Sequence, residues 1–188
     1  ARTENYTHPA ALPIVEPSNI QLDLARRDFT INSMAIKLCG KGIFSLIDLH
    51  DGENDLKNGL IRVLHDRSFI DDPCRIFRAI RFEQRFEFCL EGQTQSYIKT
   101  AIEDNLIGRL SGDRLINEIR LLLSEPDPVK CVHRMKEILL LQKVAPEIFE
   151  EDFNWIIMGR LRGALAWADR ISMPRKPEAW FVYLYILF

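Results

Sequence analysis

The alternation of apolar and polar residues changes its period near residue 65. Before that point, short apolar runs at 35–39, 43–49 and 61–64 predict β-strands. Gly40 and Gly42 separate the first two, and HDGENDLKNG at 50–59 reads as a turn-rich connector to the third, with Gly52 and Gly59 near its ends. Beyond it, apolar positions recur at helical spacing almost to the last residue. Helices are expected over 66–86 and over 94–103, the latter burying Tyr97, Ile98 and Ala101. A third is capped by Ser111 and repeats Leu115, Ile119 and Leu122; a fourth starts at Asp127-Pro128, an acid at the cap and a proline in the first turn. Two more fall at 155–171 and 178–188. Ahead of the strands, Ser18 and Gln21 form a capping box for a helix that runs into DLARRDFTINSMAI, 23–36. Residues 1–17, with Pro9, Pro13 and Pro17, read as an irregular, mobile loop. The expected fold class is mainly α, with a mixed α/β region over 1–65 and an all-helical one over 66–188. The sequence opens without Met and stops inside an apolar helical pattern, so a longer parent protein is expected.

Composition adds limits rather than identity. The 188 residues are 47% hydrophobic and 28% charged, ordinary for a globular protein of one or two domains. A net charge of −2 gives no global attraction for nucleic acid, so any such contact must come from local basic clusters. Cys39, Cys74, Cys89 and Cys131 form no C-x-x-C pair and have no histidine at ligand spacing. They are expected to be reduced, mostly buried thiols of a cytoplasmic protein. No apolar run reaches the length of a membrane span, no secretory signal pattern opens the sequence, and no repeat of fixed period is visible.

The candidate chemistry lies in DRSFIDDPCRIFRAIRFEQRF, 66–86. Read as one helix, it places Arg75, Arg78, Arg81 and Arg85 within about 120° of one another, with Asp71 one turn before Arg75. A guanidinium is a planar fork that donates to a base edge or clamps phosphate, whereas a carboxylate only accepts. Asp72 with Arg75 thus offers an acceptor and a donor set suited to the amino-bearing edge of cytosine or adenine, and Arg78 and Arg81 are placed to hold a triphosphate. The same spacing also fits a surface helix laced with Asp–Arg pairs. Upstream, Arg26, Arg27 and Asp28 lie among the apolar Phe29, Ile31, Met34 and Ile36, either as a functional cluster or as a local ion pair closing a helix.

Four segments then carry a family likeness. DLARRDFTINSMA, IDLHDGENDLKNGLIRVLH, SFIDDPCRIFRAIRF and RLSGDRLINEI, in this order and spacing, resemble the bacterial CCA-adding tRNA nucleotidyltransferases and poly(A) polymerases of the class II nucleotidyltransferase family, over about residues 1–123. The resemblance implies the carboxyl-terminal remnant of an α/β nucleotidyltransferase head over 1–65, followed by a helical neck and body. It gives Arg27 and Asp28 a ribose-contacting role, with Asn32 supporting their turn. Asp72 and Arg75 become the pair that reads CTP or ATP without a nucleic-acid template; Arg78 and Arg81 become further nucleotide contacts. Arg109, Ser111 and Arg114 become a structural brace for the reading helix. Asp71 stands where the family usually has a glutamate that props the reading arginine, so its reach is one methylene shorter.

The family's glycine-rich GG-x-V-R-D-like segment and its magnesium-binding Asp-x-Asp pair do not occur in this sequence. By that resemblance the Mg2+ ligands lie outside the chain, the chain holds no catalytic or metal-binding residue, and it is expected to bind nucleotide without transferring it. The tRNA 3′ acceptor end, CTP and ATP are the implied partners, with no membrane. The segment Glu4–Pro17 has a counterpart in a flexible family loop implicated in switching from C to A addition.

Other readings compete with this one. His50-Asp51 and His65-Asp66 are the His-Asp dipeptides of a metal-dependent phosphohydrolase, here placed in turns. Lys130, His133, Arg134 and Lys136, and separately Arg160, Arg162 and Arg170, make basic clusters suited to a non-catalytic RNA-binding module or to plain solvated helix faces. The run Trp180, Phe181, Tyr183, Tyr185 and Phe188 is expected to be core or an interface.

Overall fold

Two strands open the chain where an irregular loop was expected. In the computed structural model, which describes residues 1–146, 155–171 and 178–187, β1 (Arg2–Asn5) and β2 (Ile14–Pro17) pair antiparallel, Arg2 opposite Pro17 and Asn5 opposite Ile14. The prolines do not oppose this: Pro9 and Pro13 lie in the connecting loop, and Pro17 is the last residue of a free-edged strand, where a missing N–H is tolerated. The loop is tied down as well. Ala10 and Ala11 are buried, and the Ala10 N–H donates to the Ile70 carbonyl at 3.4 Å.

Helix α1 (Ile20–Ala25) starts one residue later than the Ser18 capping box implies. Asn19 is the cap, its Oδ1 accepting from Leu22 N at 2.9 Å, while the Ser18 N–H closes the hairpin onto the Ala1 carbonyl. A 3-10 turn, Thr30–Asn32, leads into β3 (Met34–Ile36), antiparallel to β4 (Leu46–Asp48). The expected connector at 50–59 is instead a short helix, α2 (Gly52–Lys57). It is nucleated by Asp48, whose carboxylate accepts the N–H groups of His50, Gly52 and Glu53 at 3.2, 2.9 and 2.8 Å. Six residues are too few to display a helical period, and the flanking glycines mask them.

Strand β5 (Leu60–Ile61) pairs in parallel with β6 (Cys89–Leu90). Between them, the single helix expected over 66–86 is broken into α3 (Ser68–Asp71) and α4 (Cys74–Phe86). Pro73 is the cause: its ring disfavours helical geometry at the preceding residue, and Asp72 is extended, φ −139° and ψ 94°. Helix α5 (Gly92–Glu103) follows, capped by the Glu91 side chain on Thr94 N, and a 3-10 turn, Leu106–Arg109, ends the region. Leu24, Phe29, Ile61, Phe69, Ile76, Phe77, Ile80, Ile98 and Ile107 form its core, with Phe29 edge-on to Phe82 at 5.8 Å.

The chain divides into two compact units, Ala1–Leu110 and Ser111–Phe188. The described part of the second is helical: α6 (Gly112–Leu123), α7 (Pro128–Glu137), α8 (Leu140–Val144), α9 (Trp155–Arg170) and α10 (Ala179–Leu187). Helix α6 packs against α7 and α10, burying Ile119, Leu122, Val132, Met135, Tyr183 and Leu187. Asp127 and Pro128 start α7 as expected, whereas Ser111 occupies the cap position of α6 without a side-chain bond. Of the aromatic run, Tyr183 is buried, Phe181 and Tyr185 are exposed, and Phe188 lies outside the described residues. All four cysteines are free, but only Cys74 and Cys131 are buried.

The fold is mainly α. Among the described residues no helix is long and apolar enough to cross a membrane.

Candidate functional site

The segment after α1 is organised by two aspartates. Asp23, buried on α1, accepts the Arg2 backbone N–H at 2.9 Å, Arg26 Nη2 at 3.0 Å and Arg27 Nη2 at 3.2 Å. The Arg2 N–H and these guanidinium groups hold its carboxyl far below the usual carboxylate range, against the opposing effect of burial. Arg26 also grips Glu4 at 2.6 Å, which fastens the hairpin to α1. Asp28 looks the other way. Its Oδ1 accepts Phe29 N at 2.9 Å and Asn32 Nδ2 at 3.0 Å; its Oδ2 accepts Arg78 Nε at 2.8 Å and pairs with Nη2 at 2.6 Å. A local ion pair is present at the triplet, with Asp23 rather than Asp28 as its acid, while Asp28 reaches α4 and is bonded by Asn32 in its own turn. Arg27 keeps a partly exposed side chain, its Nη1 on the Asn32 carbonyl at 3.3 Å and its Nε buried without a hydrogen-bond partner.

The α3–α4 corner holds Asp72 and Arg75, the pair expected to read the base. Asp72, half-buried, accepts Cys74 N on Oδ1 at 3.1 Å. Arg75 is only 5% exposed; its Nη1 donates to Ser68 Oγ at 2.7 Å and its Nη2 to the Arg26 carbonyl at 2.8 Å. Asp71, expected to prop Arg75, pairs instead with Arg67 at 3.6 Å, its neighbour one turn back on the same helix. The arginine stripe thus grades from the buried Arg75, through half-buried Arg78 and Arg81, to the exposed Arg85. Arg78 also lies over the Phe82 ring at 5.9 Å.

Tyr6, which nothing in its local sequence distinguished, joins this corner from the hairpin loop. Its hydroxyl donates to Glu4 Oε2 at 3.1 Å. Burial pushes the phenol up to about 12; Arg75 opposes the shift, and Glu4 and Asp72 add to it. His65, also near Arg75, is held below the usual imidazole value by burial and by that positive charge, so it is neutral at pH 7.

Behind Asp28 stands a brace drawn from the second motif. Thr30 Oγ1 donates to Asp55 Oδ2 at 2.7 Å, and Arg62 Nε donates to the same oxygen at 2.9 Å. The hydrogen bond to Asp55 raises the Arg62 value further, and Glu91 lies 3.7 Å from its Nη1. Gly52 is obligatory here, because a Cβ would fall 2.3 Å from the Thr30 carbonyl oxygen.

The remaining candidates are more dispersed. Arg109 ends the 3-10 turn and is exposed, Ser111 is an exposed cap, and Arg114 is half-buried on α6. Among the described residues no group of three or more His, Cys, Asp or Glu gathers that could hold a metal, and His50 and His65 remain in turns. The α7 cluster is partly occupied: His133 stacks on Trp155 at 3.9 Å, Lys136 lies over the same ring at 5.3 Å, and Arg134 pairs with Glu137. Arg162 pairs with Asp127 at 3.6 Å; Arg160 and Arg170 are exposed.

Comparison with known proteins matches this arrangement. Residues 1–62 match the family model described as "Poly A polymerase head domain", and residues 87–151 the one described as "Probable RNA and SrmB- binding site of polymerase A". An A-adding tRNA nucleotidyltransferase of Geobacter sulfurreducens is 41% identical over 186 residues, covering 99% of this chain and 21% of that protein. A solved CCA-adding enzyme in an apo form superposes with a TM-score of 0.91 at 42% identity, over 100% of this chain and 44% of that one. The Thermotoga maritima CCA-adding enzyme, solved in complex with tRNA, gives 0.81 at 36% identity, over 100% of this chain and 48% of that one. The chain thus spans about a fifth of the Geobacter relative's length and under half of each structure. With its motifs, its two family models and its fold in agreement, the chain belongs to the tRNA nucleotidyltransferase and poly(A) polymerase family.

Proposed function

We propose that this chain supplies ribose and base recognition to a template-independent RNA nucleotidyltransferase, which adds C, A or both to the 3′ end of tRNA from CTP and ATP. The observation that carries the reading is the α3–α4 corner, where the Asp72 carboxylate and the Arg75 guanidinium flank one proline-induced turn. A carboxylate there accepts from the exocyclic amino group of cytosine or adenine, and the guanidinium donates to the ring acceptor beside it. Uracil and guanine present a carbonyl oxygen at the same place, which leaves the carboxylate facing a second acceptor. Arg27 and the Asp28 turn face the ribose in this reading. Arg78, while neutralising Asp28, and Arg81 extend positive charge along α4 toward the phosphates. Residues 1–65 act as the end of the head and 66–188 as neck and body, with Arg109, Ser111 and Arg114 in the structural role that the family motif gives them.

The metal expected of the family, magnesium in this proposal, finds no fitting cluster of donors among the described residues. Asp23, Asp28 and Asp55 are engaged by guanidinium or N–H and O–H donors, and Asp48 by three backbone amides. The amides outweigh burial and keep Asp48 low, as expected of a helix cap. No step through a metal is assigned to this chain; the transfer chemistry belongs to residues outside it, in a protein we place in the cytoplasm. In a transfer assay with magnesium, CTP, ATP and acceptor-stem RNA, the chain alone should give no product, and product at the rate of a complete relative would overturn the assignment. Equilibrium binding should rank CTP and ATP above UTP and GTP, a ranking lost in Arg75→Ala.

A second reading, a non-catalytic RNA-binding module, is favoured by the exposed cations of α9 and by the description of the second family model. It requires RNA binding with no mononucleotide preference.

A further inference from the structure

We propose that Ser68 is the positioning residue for Arg75, and that the acid at position 71 has no part in base selection. The inference rests on the reading of Arg75 as a base-contacting residue. Its ground is the geometry of the α3–α4 break. Ser68 precedes Arg75 by seven residues, and in a continuous helix two such residues stand roughly 10 Å apart along the axis. Here Ser68 Oγ and Arg75 Nη1 are 2.7 Å apart, because the chain folds back at Asp72-Pro73 and turns α3 against the start of α4. The corner that sets Asp72 beside Arg75 is therefore the same corner that delivers the Ser68 hydroxyl.

Burial makes this contact consequential. Ser68 is 0% exposed and Arg75 is 5% exposed, so neither group has water as an alternative partner of comparable access. The second guanidinium nitrogen is held by the Arg26 carbonyl, and the Arg26 side chain is itself fixed by Glu4 and Asp23. Two acceptors on two different elements define the plane of the guanidinium fork. A hydroxyl and a carbonyl do so without neutralising the charge, which a carboxylate prop would partly cancel. Asp71 is directed elsewhere, onto Arg67.

The test measures binding of ATP, CTP, GTP and UTP to the full chain and to six variants. Loss of one buried acceptor from a charged donor in Ser68→Ala should lower the preference for ATP and CTP over GTP and UTP about tenfold. Affinity common to all four triphosphates should stay near that of the unmodified chain. Ser68→Thr, which keeps the hydroxyl, should retain the preference, and Asp71→Ala should leave it unchanged. Ser68→Ala added to Arg75→Ala should have no further effect, an outcome that general loss of packing would not give. If Ser68→Ala fails to fold, Ser68→Cys fills the site with a slightly larger group that is a poor acceptor and should show the same loss. Retained preference in Ser68→Ala or Ser68→Cys, or its loss in Asp71→Ala, overturns the inference. If the unmodified chain prefers ATP and CTP and Arg75→Ala abolishes this, such a result removes Ser68 alone. If the unmodified chain shows no preference, or Arg75→Ala keeps it, the base-reading assignment and the inference fall together.

Discussion

Asp28 and Arg78 form a buried-to-surface pair in which the two partners differ in access to water. The carboxylate is 8% exposed and the guanidinium 39%. Removing the arginine strands a buried charge, whereas removing the acid leaves a cation that water still reaches. Arg78→Ala should therefore destabilise the first unit by about 2 to 4 kcal/mol and Asp28→Asn by less, an order that urea denaturation checks. Asp23 predicts a pH response. Its carboxyl value is lowered by folding, so its contribution is complete above the ordinary value of 3.8 and is lost as pH falls below it toward the folded value. Protection factors of the β1 amides should fall on acidification below that point, and Asp23→Asn should remove the dependence. At this scale the sequence displays Asp72 with Arg75 at a spacing of three, whereas Asn32 beside Asp28 comes from the family resemblance rather than from local spacing. It does not display Ser68 or Tyr6, whose importance arises from where the chain folds back.

Short elements account for most of the difference between expectation and structure. Strands β5 and β6 are two residues long and α2 is six, below the length at which periodicity separates helix from strand. The hairpin was hidden by its prolines, and the break between α3 and α4 was hidden because the apolar spacing continues through Pro73. The longer helices α5, α6 and α7 were legible because their buried stripes span several turns. Helix α2 carries its own prediction. Gly52→Ala places a methyl 2.3 Å from the Thr30 carbonyl oxygen, so it should lower stability by about 2 to 3 kcal/mol and weaken the Asp28 turn, visible as a lower urea midpoint.

On the scale of the whole molecule, the charge distribution matters more than its sum of −2. Several cations of the second unit are engaged internally, Arg162 by Asp127 and the Pro126 carbonyl, Arg134 by Glu137. Arg160 is exposed on α9 and is the better candidate for a phosphate. Arg160→Ala should weaken binding to acceptor-stem RNA and reduce the slope of log affinity against log salt by about one, whereas Arg162→Ala should chiefly lower the melting temperature.

The buried tip of the amino-terminal hairpin has a practical corollary. Ala10 adopts φ 62°, a left-handed angle that branched side chains resist, and it is 9% exposed, whereas Leu12 two positions on is 74% exposed. A saturation library across this loop should return only alanine, glycine or asparagine at 10 and nearly any residue at 12. With the exposed Cys39 and Cys89 replaced by serine, position 12 is accordingly where a cysteine-linked dye can be carried without disturbing the docked tip, so that its emission follows the loop as triphosphate is added.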